Sequence, residues 1–360
     1  MDSLTIYTPG HWDMYDSYGL IACELARHLS ALGVRVSAMG HGETVRDNQP
    51  DDVRAITAQP VVPTYGGILL GYPTGYAAHG FMASRGPRIA VTMFESTKLP
   101  PGWAEPLNEC DAVVVPSRWL VDVFRDSGVR VPIHVVPLGI GSIYQPAERA
   151  VDREPFTFLA FGDRGKRKGR VWAEQAFVLA FGDDPRVRLL IKSRRGGLNV
   201  TCTNPNIDHI QRDMTERELY ELYLSCDALV NPNMGEGFGL IPREFAATGG
   251  IALATNWGGT ADDIGIWGIP LPYELVEADW DDNKRLAGLP LGEWAMPDVE
   301  ATARMMRDVF ERRDYYQRRA TLMAPRVRRM YSWRRFAERV MDIWRGVANG
   351  NRKPARAAAV

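Results

Sequence analysis

Cysteine and long apolar runs are what this 360-residue sequence has least of. Its four cysteines are far apart, and no two of them form a C-x-x-C pair: they are Cys23, Cys110, Cys202 and Cys226. This scarcity argues against a disulfide framework and against a zinc site, and it predicts buried free thiols in a reducing cytoplasm. No apolar run reaches the roughly 18 residues of a membrane-spanning helix. We therefore expect no transmembrane segment, and we expect no signal peptide either, because a strand pattern starts almost at once without a basic flank before it.

The charge of the chain is nearly balanced overall but unevenly distributed. The formal net charge is −1, whereas residues 301–360 contain 16 Lys and Arg against 5 Asp and Glu. A basic C-terminal segment can meet an anionic partner such as nucleic acid or phospholipid. It can also simply place solvated arginines on helix faces. We favour the second explanation, and the first stays open.

Strand patterns and helix patterns alternate along most of the chain. Apolar stretches such as LTIYTP and CDAVVVPS are followed by amphipathic ones such as RWLVDVFRDSG, which is typical of βαβ units and a parallel sheet. The alternation stops at residues 139–155, which are rich in Gly, Pro and charge, and then starts again. The sequence therefore predicts an α/β protein with two Rossmann-like, doubly wound domains that face a central cleft.

The predicted domain boundaries follow from this pattern. Residues 1–150 are expected to form the N-terminal domain and residues 151–330 the C-terminal domain. A helix at 331–347 is expected to cross back and pack on the N-terminal domain. Residues 348–360 are expected to be a disordered tail.

A glycine-rich loop lies between a predicted strand and a predicted helix, in the stretch NPNMGEGFGLIPREFAATGG (231–250). Pro242 suits the first turn of a helix, so the loop GEGFG lies directly before the helix N-terminus. Bare amides at a helix N-terminus suit a phosphate group. The amides in question belong to Gly237, Phe238, Gly239 and Leu240. The loop lacks the lysine of a P-loop and the spacing of a dinucleotide fingerprint, and a purely structural turn is the alternative.

Two glutamates, Glu236 and Glu244, flank this loop. Carboxylates beside a phosphate site would repel the phosphate, so they must bind something else, and hydroxyl groups are their natural partners. A ligand with a phosphate core and hydroxyls on both sides is a sugar nucleotide. We predict that Glu236 binds hydroxyls of a hexose and that Glu244 binds the ribose. A first-turn glutamate that merely complements the helix dipole is the structural alternative for Glu244.

The stretch EGFGLIPRE, with its glutamates separated by seven residues, resembles the E-x7-E motif of family GT4, the retaining glycosyltransferases with the GT-B fold. Other segments match in the same order, among them FLAFGDRGKRKG, LYLSCDALVNPNMGEGFGL and YSWRRFAERV. The similarity covers residues 88–347 and is weaker over 1–87, where the family binds its acceptor. It implies transfer of a hexose from a UDP-sugar such as UDP-glucose, or from a GDP-sugar, to a hydroxyl acceptor.

The resemblance also implies roles for individual residues. Lys168 occupies the K-G position of the family's basic loop and would contact the donor diphosphate. The family's arginine usually has the place that Asp163 holds here, so Arg164, one residue later, is assigned as the partner of Lys168. Fixed cations stabilise the charge that grows on a departing nucleoside diphosphate. Gly19 lies where the family has a glycine-rich loop near the diphosphate.

Two acidic stretches remain. Glu95, in FEST (94–97), follows a buried strand and is predicted to face the acceptor or the reacting sugar, with a helix-capping role as the alternative. DWDD (279–282) resembles the metal motif of the other glycosyltransferase fold, but it lies in a late loop and is interpreted as a solvated turn. The resemblance therefore implies a metal-independent enzyme with no cofactor besides its nucleotide diphosphate sugar donor.

The predicted catalytic residues are Glu236, Lys168, Arg164 and Glu95. The sequence offers no obvious nucleophile, so retention of configuration is expected to proceed by front-face displacement. Two alternatives stay open. One is the same chemistry on a macromolecular acceptor such as a hydroxymethylated base in DNA. The other is a sugar-nucleotide-binding protein without catalysis, against which the intact glutamate pair and Lys168 argue.

Overall fold

The computed structural model describes residues 2–8, 12–40, 48–61, 66–76, 81–149, 152–162, 165–194, 203–280 and 283–350. These residues form two compact units. The first unit contains the described residues of Met1–Phe94, Leu99–Gly139 and Trp333–Val360. The second unit contains those of Glu95–Lys98 and Ile140–Ser332. The short segment Glu95–Lys98 thus belongs to the second unit, although the residues on both sides of it in the sequence belong to the first.

The first unit is built on a parallel sheet of six strands in the order β2-β1-β3-β4-β5-β6. The strands are β1 (Ser3–Thr8), β2 (Arg35–Gly40), β3 (Gly66–Leu70), β4 (Arg88–Val91), β5 (Ala112–Val115) and β6 (Ile133–Val135). Its first helices are α1 (Ser17–Ala31), α2 (Asp51–Thr57), α3 (Ala104–Glu109) and α4 (Trp119–Asp126). Strands β3 and β5 are buried along their whole length, as in parallel sheets that are covered on both faces.

The second unit repeats this plan with a parallel sheet in the order β12-β11-β10-β7-β8-β9. The strands are β7 (Phe156–Phe161), β8 (Val187–Ser193), β9 (Ile207–Gln211), β10 (Ala228–Asn231), β11 (Ile251–Thr255) and β12 (Ile269–Leu271). An antiparallel hairpin adds β13 (Tyr273–Glu277) and β14 (Glu293–Pro297). The helices are α5 (Arg170–Phe181), α6 (Glu216–Ser225), α7 (Leu240–Ala247), α8 (Ile264–Trp267), α9 (Val299–Glu311) and α10 (Arg313–Met330).

Residues 140–149, which the sequence places before the domain boundary, are held within the second unit. The buried Arg149 guanidinium donates to the Tyr223 carbonyl at 2.9 Å and to the Thr248 hydroxyl at 2.7 Å. The Ala147 amide donates to the Thr248 carbonyl at 3.1 Å. These bonds fix a stretch that its glycine and proline content alone would suggest to be loose.

The last helix, α11 (Trp333–Ala348), returns to the first unit and packs against α1. It buries an apolar stripe at helical spacing: Trp333, Phe336, Ala337, Val340, Met341, Trp344 and Val347. Gly139 lies so close to its start that a Cβ there would stand 2.2 Å from the Trp333 nitrogen. Ala348, the first residue of the predicted tail, still belongs to this helix, and from residue 351 onwards the tail lies outside the described residues.

Several local features can be compared with what the sequence indicates. Thr215 and Glu218, spaced as in a capping box, satisfy each other's backbone amides at the start of α6. Cys23, Cys110 and Cys226 are buried free thiols, and Cys202 lies outside the described residues. Burial raises the pKa of Cys23 to about 12. Among the described residues, no helix is long and apolar enough to cross a membrane.

Candidate functional site

The order of the second sheet reverses between β7 and β10, since β8 follows on one side of β7 and β10 and β11 lie on the other. Ligands of open α/β sheets bind at such a reversal, beyond the carboxyl ends of the strands. Two loops meet there, the basic loop after β7 and the glycine loop after β10. The Met234 amide donates to the Arg167 carbonyl at 2.8 Å and joins the two loops. Gly169 is required at this junction, because it has a φ of +81° and a Cβ there would stand 2.2 Å from the Pro232 carbonyl oxygen.

The glycine loop leads directly into the N-terminus of α7. Gly239 has a φ of +82° and precedes the first helical residue, Leu240, so Pro242 lies in the first turn of α7. The loop also has to accommodate a second backbone segment, because a Cβ on Gly259 would stand 2.1 Å from the Gly237 carbonyl oxygen. The glycines therefore allow two backbones to approach closely while amides lie at a helix N-terminus.

Arg243 fixes the shape of this loop, and the sequence pattern does not reveal it. Its guanidinium is buried, and it donates to the carbonyls of Phe238, Gly239 and Gly259, the last at 2.9 Å. It also pairs with Asp263 at 2.6 Å and stacks on the Phe238 ring at 4.2 Å. A charged residue in the first turn of an otherwise buried helix is the signal that could have identified it.

Lys168 and Glu236, both predicted site residues, are in direct contact. Lys168 Nζ lies 2.8 Å from Glu236 Oε1. Desolvation acts to raise the pKa of Glu236, but the charges of Lys168 and Arg167 outweigh it and hold that pKa below its ordinary value. Glu236 is therefore an ionised acceptor beside a fixed cation.

Arg167 is a second residue that the sequence pattern did not single out. Its Nη1 donates to the Gly235 carbonyl at 2.6 Å, and its guanidinium lies over the Trp280 ring at 5.5 Å. It lies 3.9 Å from Glu95 Oε1 and 4.0 Å from Glu236 Oε1. Arg167 thus stands between two carboxylates that come from distant parts of the chain. Only the run of basic residues RGKRKG pointed to this neighbourhood.

Glu95 is brought to the glycine loop within the second unit. The Trp294 indole donates to the Glu95 carbonyl at 2.9 Å, and a Cβ on Gly235 would stand 2.3 Å from the same oxygen. Three residues that the sequence predicts to share a site are therefore close together. Glu95 and Glu236 both lie beside Arg167, and Lys168 contacts Glu236. Their catalytic roles remain predictions.

The remaining predicted residues have other surroundings. Gly19 lies in the first turn of α1 in the first unit, and its amide donates to the Asp16 carboxylate at 3.3 Å. Arg164 lies outside the described residues. Of the DWDD stretch, Asp279 pairs with Lys166 at 2.6 Å, and Asp281 and Asp282 lie outside the described residues. Where the structure describes the chain, it contains no group of three His, Cys, Asp or Glu that could hold a metal ion.

Glu244, the predicted ribose ligand, is buried below the glycine loop rather than exposed at its mouth. Its Oε2 accepts a hydrogen bond from the Tyr223 hydroxyl at 3.1 Å. Burial, and secondarily the charge of Glu216, raise the pKa of Glu244 to about 8, against the effect of the Tyr223 bond. At neutral pH the carboxyl is therefore protonated in the structure as it stands.

This burial predicts a pH dependence of stability. The folded-state pKa of Glu244 is about 8 against an unfolded value of 4.5, so the native state binds more protons between these values and stability falls as pH rises through this window. Glu244→Gln should remove that contribution. We expect the free energy of unfolding of the variant, relative to wild type, to increase with pH when both are unfolded in urea across the window. A difference independent of pH would contradict the assignment.

The fold is similar to that of solved glycosyltransferases over nearly the whole chain. A glycosyltransferase from Rickettsia africae ESF-5 superposes with a TM-score of 0.68 at 14% identity, covering 97% of this chain and 100% of that one. Sucrose-phosphate synthase from Thermosynechococcus elongatus gives 0.68 at 14% identity, covering 96% and 99%. WaaG, a glycosyltransferase involved in lipopolysaccharide biosynthesis, gives 0.63 at 13% identity, covering 96% and 100%.

Sequence comparison adds nothing to these structural similarities: no protein-family model matches the chain, and no curated protein matches it. At the low identities of the solved structures, the similarity is one of fold. The two parallel six-stranded sheets agree with this similarity, and the alignments cover 96% and 97% of this chain. The chain has the GT-B fold.

Proposed function

We propose that the protein is a retaining glycosyltransferase of family GT4 that transfers a hexose from a UDP- or GDP-sugar to a hydroxyl acceptor. The observation that carries this proposal is the Lys168–Glu236 pair, 2.8 Å apart, at the glycine loop before α7. It combines amides for a phosphate, a cation for a diphosphate and a carboxylate for sugar hydroxyls in one place. The GT-B fold also supports this proposal, by analogy with the solved glycosyltransferases that share it.

The proposed reaction needs charge stabilisation more than covalent chemistry. As the bond between the anomeric carbon and the diphosphate breaks, the bonding electrons go to the phosphate oxygen, and the acceptor hydroxyl attacks from the same face. The leaving phosphate takes the hydroxyl proton. Lys168 has three donors, so it can keep Glu236 and still contact the diphosphate. Arg164 is proposed as a second cation, Glu95 as a contact to the sugar or acceptor, and Glu244 as the ribose ligand.

The proposal is tested by incubating the protein with a panel of nucleotide sugars in the absence of an acceptor. We expect the purified protein to hydrolyse one class of UDP- or GDP-hexose slowly, as detected by mass spectrometry of the released hexose and nucleoside diphosphate. The rate should be unchanged in excess EDTA, because the basic loop supplies the positive charge. Binding of a nucleotide sugar without any turnover would favour the non-catalytic alternative. If the protein binds no nucleotide and no nucleotide sugar at all, the proposal is refuted.

An acceptor panel follows from the donor. It should include small hydroxyl compounds, lipids, polysaccharides and duplex DNA that contains hydroxymethylated bases. A DNA acceptor would show itself by affinity that falls steeply with salt, since phosphate contacts release counterions. The same salt titration tests whether the basic C-terminal segment binds an anionic partner.

A further inference from the structure

The proposed site contains two carboxylates, and carboxylates are not groups that bind the phosphates of a donor. Glu236 and Glu95 both lie at the glycine loop, and the Arg167 guanidinium stands about 4 Å from each, at 4.0 Å and 3.9 Å. Among the described residues, Lys168 also contacts this group, through Glu236. The charges of the two glutamates and the two basic side chains cancel as long as both basic side chains keep these contacts.

Glu95 is held firmly enough to act as a recognition group. Besides the Trp294 bond to its carbonyl, its neighbour Thr97 accepts a hydrogen bond from the Glu293 amide at 2.9 Å. The Lys98 amide donates to the Leu291 carbonyl at 3.2 Å. The turn from 95 to 98 is therefore fastened at three points to the start of β14 and to the residues before it.

One oxygen of Glu95 has no hydrogen-bond partner among the described residues. Oε2 is buried, and the residue as a whole is 9% exposed. A buried carboxylate oxygen without a donor is costly and is usually satisfied by a ligand or water. The group that would satisfy it is a hydrogen-bond donor, such as a sugar hydroxyl, and not another acceptor.

The balance of charge changes when Lys168 contacts a diphosphate as well as Glu236, as in the proposed function. The single positive charge of Lys168 is then shared with the diphosphate, so the two carboxylates of Glu95 and Glu236 outweigh the one guanidinium of Arg167, and the sugar faces a net negative charge. A neutral hexose can donate hydroxyl hydrogen bonds to both carboxylates. A uronic acid would bring a third carboxylate into the same space, and repulsion between like charges opposes its binding.

Resting on the proposed function, we infer that Glu95, Arg167 and Glu236 form a subsite for the transferred sugar that accepts a neutral hexose and rejects a uronic acid. Glu95 and Glu236 contact the sugar. Arg167 is a positioning residue: it keeps two carboxylates at a fixed separation and is itself anchored by the Gly235 carbonyl and the Trp280 ring. The subsite thus sets the class of donor, and the nucleoside diphosphate is bound by other groups.

Matched donor pairs test this inference directly. UDP-glucose is compared with UDP-glucuronic acid, and GDP-mannose with GDP-mannuronic acid, by calorimetric Kd and by rate of hydrolysis. For whichever nucleotide binds, we expect the neutral sugar to be favoured by ~100-fold over the uronic acid. Glu95→Gln should reduce that ratio ~10-fold or more, because it removes one of the repelling charges. The Kd of UDP or GDP alone should not change.

Two further variants separate charge from shape and from damage to the fold. Glu95→Asp keeps the charge and should keep the discrimination, even where the neutral sugar binds less tightly. Glu174→Gln is the matched control, because Glu174 has the same side-chain exposure as Glu95, 12%, and also pairs with an arginine, but Arg170 at 2.7 Å lies outside this group. It should leave both the ratio and the Kd values as in wild type.

The possible failures are distinguishable. If UDP or GDP binds but neutral and uronic sugars are bound and hydrolysed equally, the subsite is refuted and the proposed function stands. The same holds if Glu95→Gln folds, as thermal unfolding shows, and leaves the ratio unchanged. If no nucleoside diphosphate binds at all, the proposed function fails and the subsite fails with it.

Discussion

Replacement of Lys168 by methionine is expected to lower the turnover of donor hydrolysis ~10²–10³-fold, the usual effect of removing one preorganised group that stabilises transition-state charge. The side chain is 38% exposed and reaches the end of the glycine loop through Glu236. Negative charge on the leaving diphosphate grows as the glycosidic bond breaks, so the cation matters most in the transition state. The KM for the donor should therefore change much less than kcat.

A neighbouring lysine supplies the control for this prediction. Lys166 lies in the same turn but pairs with Asp279 at 2.6 Å, and its side chain is 66% exposed. Lys166→Met removes the same charge from the same loop and should reduce kcat only slightly. Lys168→Arg, which keeps a cation, should recover part of the activity. Equal kcat values for wild type and Lys168→Met would exclude Lys168 from the reaction.

The sequence predicts the arrangement of elements well and the contacts around the site only in part. Alternating apolar strands and amphipathic helices are local patterns, so two parallel sheets follow from them. The capping box at Thr215 is equally local. The family resemblance assigns Lys168 and Glu236 to one site, and the structure brings them together because each stands after one of two adjacent strands, β7 and β10.

What the sequence does not predict depends on tertiary contacts. Glu95 belongs to the second unit because backbone bonds near Trp294 hold it there, and no local pattern encodes a pairing over that distance. Burial of Glu244 under the loop depends on Tyr223, which α6 supplies. A glutamate in the first turn of a helix has the same local sequence whether it faces a ligand or the interior. These positions are therefore set by packing, which periodicity does not reveal.

Arg243→Met is expected to destabilise the second unit strongly, by ~3–5 kcal/mol, the usual cost of breaking a buried ion pair from one side. The guanidinium is 1% exposed and satisfies the carbonyls of Phe238, Gly239 and Gly259. Methionine fills much of the volume but donates nothing, so the carbonyls lose their donor and the Asp263 carboxylate loses its cation. The melting temperature of that unit should fall by roughly 6–20 °C.

Two comparisons identify the cause of this loss. Arg318→Met removes an arginine from the exposed side of α10 and should change the melting temperature little, as surface substitutions do. Adding Asp263→Asn to Arg243→Met should recover part of the lost stability, because the carboxylate charge is then absent. The amide introduced at position 263 can still accept from the Trp267 indole, which lies 2.7 Å from Asp263 Oδ1, and its NH2 group can donate to the Tyr331 hydroxyl instead of accepting from it. No recovery would indicate that the carbonyl bonds dominate.

The same variant connects the stability of the glycine loop with its proposed task. The three carbonyls to which Arg243 donates belong to Phe238, Gly239 and Gly259, and the close approach of these backbone segments gives the loop its shape before α7. If that shape presents amides to a phosphate, Arg243→Met should raise the Kd for UDP or GDP at temperatures where the protein is still folded, although Arg243 itself is buried away from any ligand. Calorimetric titration well below the melting temperature measures this. A variant with the expected loss of stability and wild-type nucleotide affinity would show that the loop keeps its shape without Arg243, and that the arginine serves the fold alone.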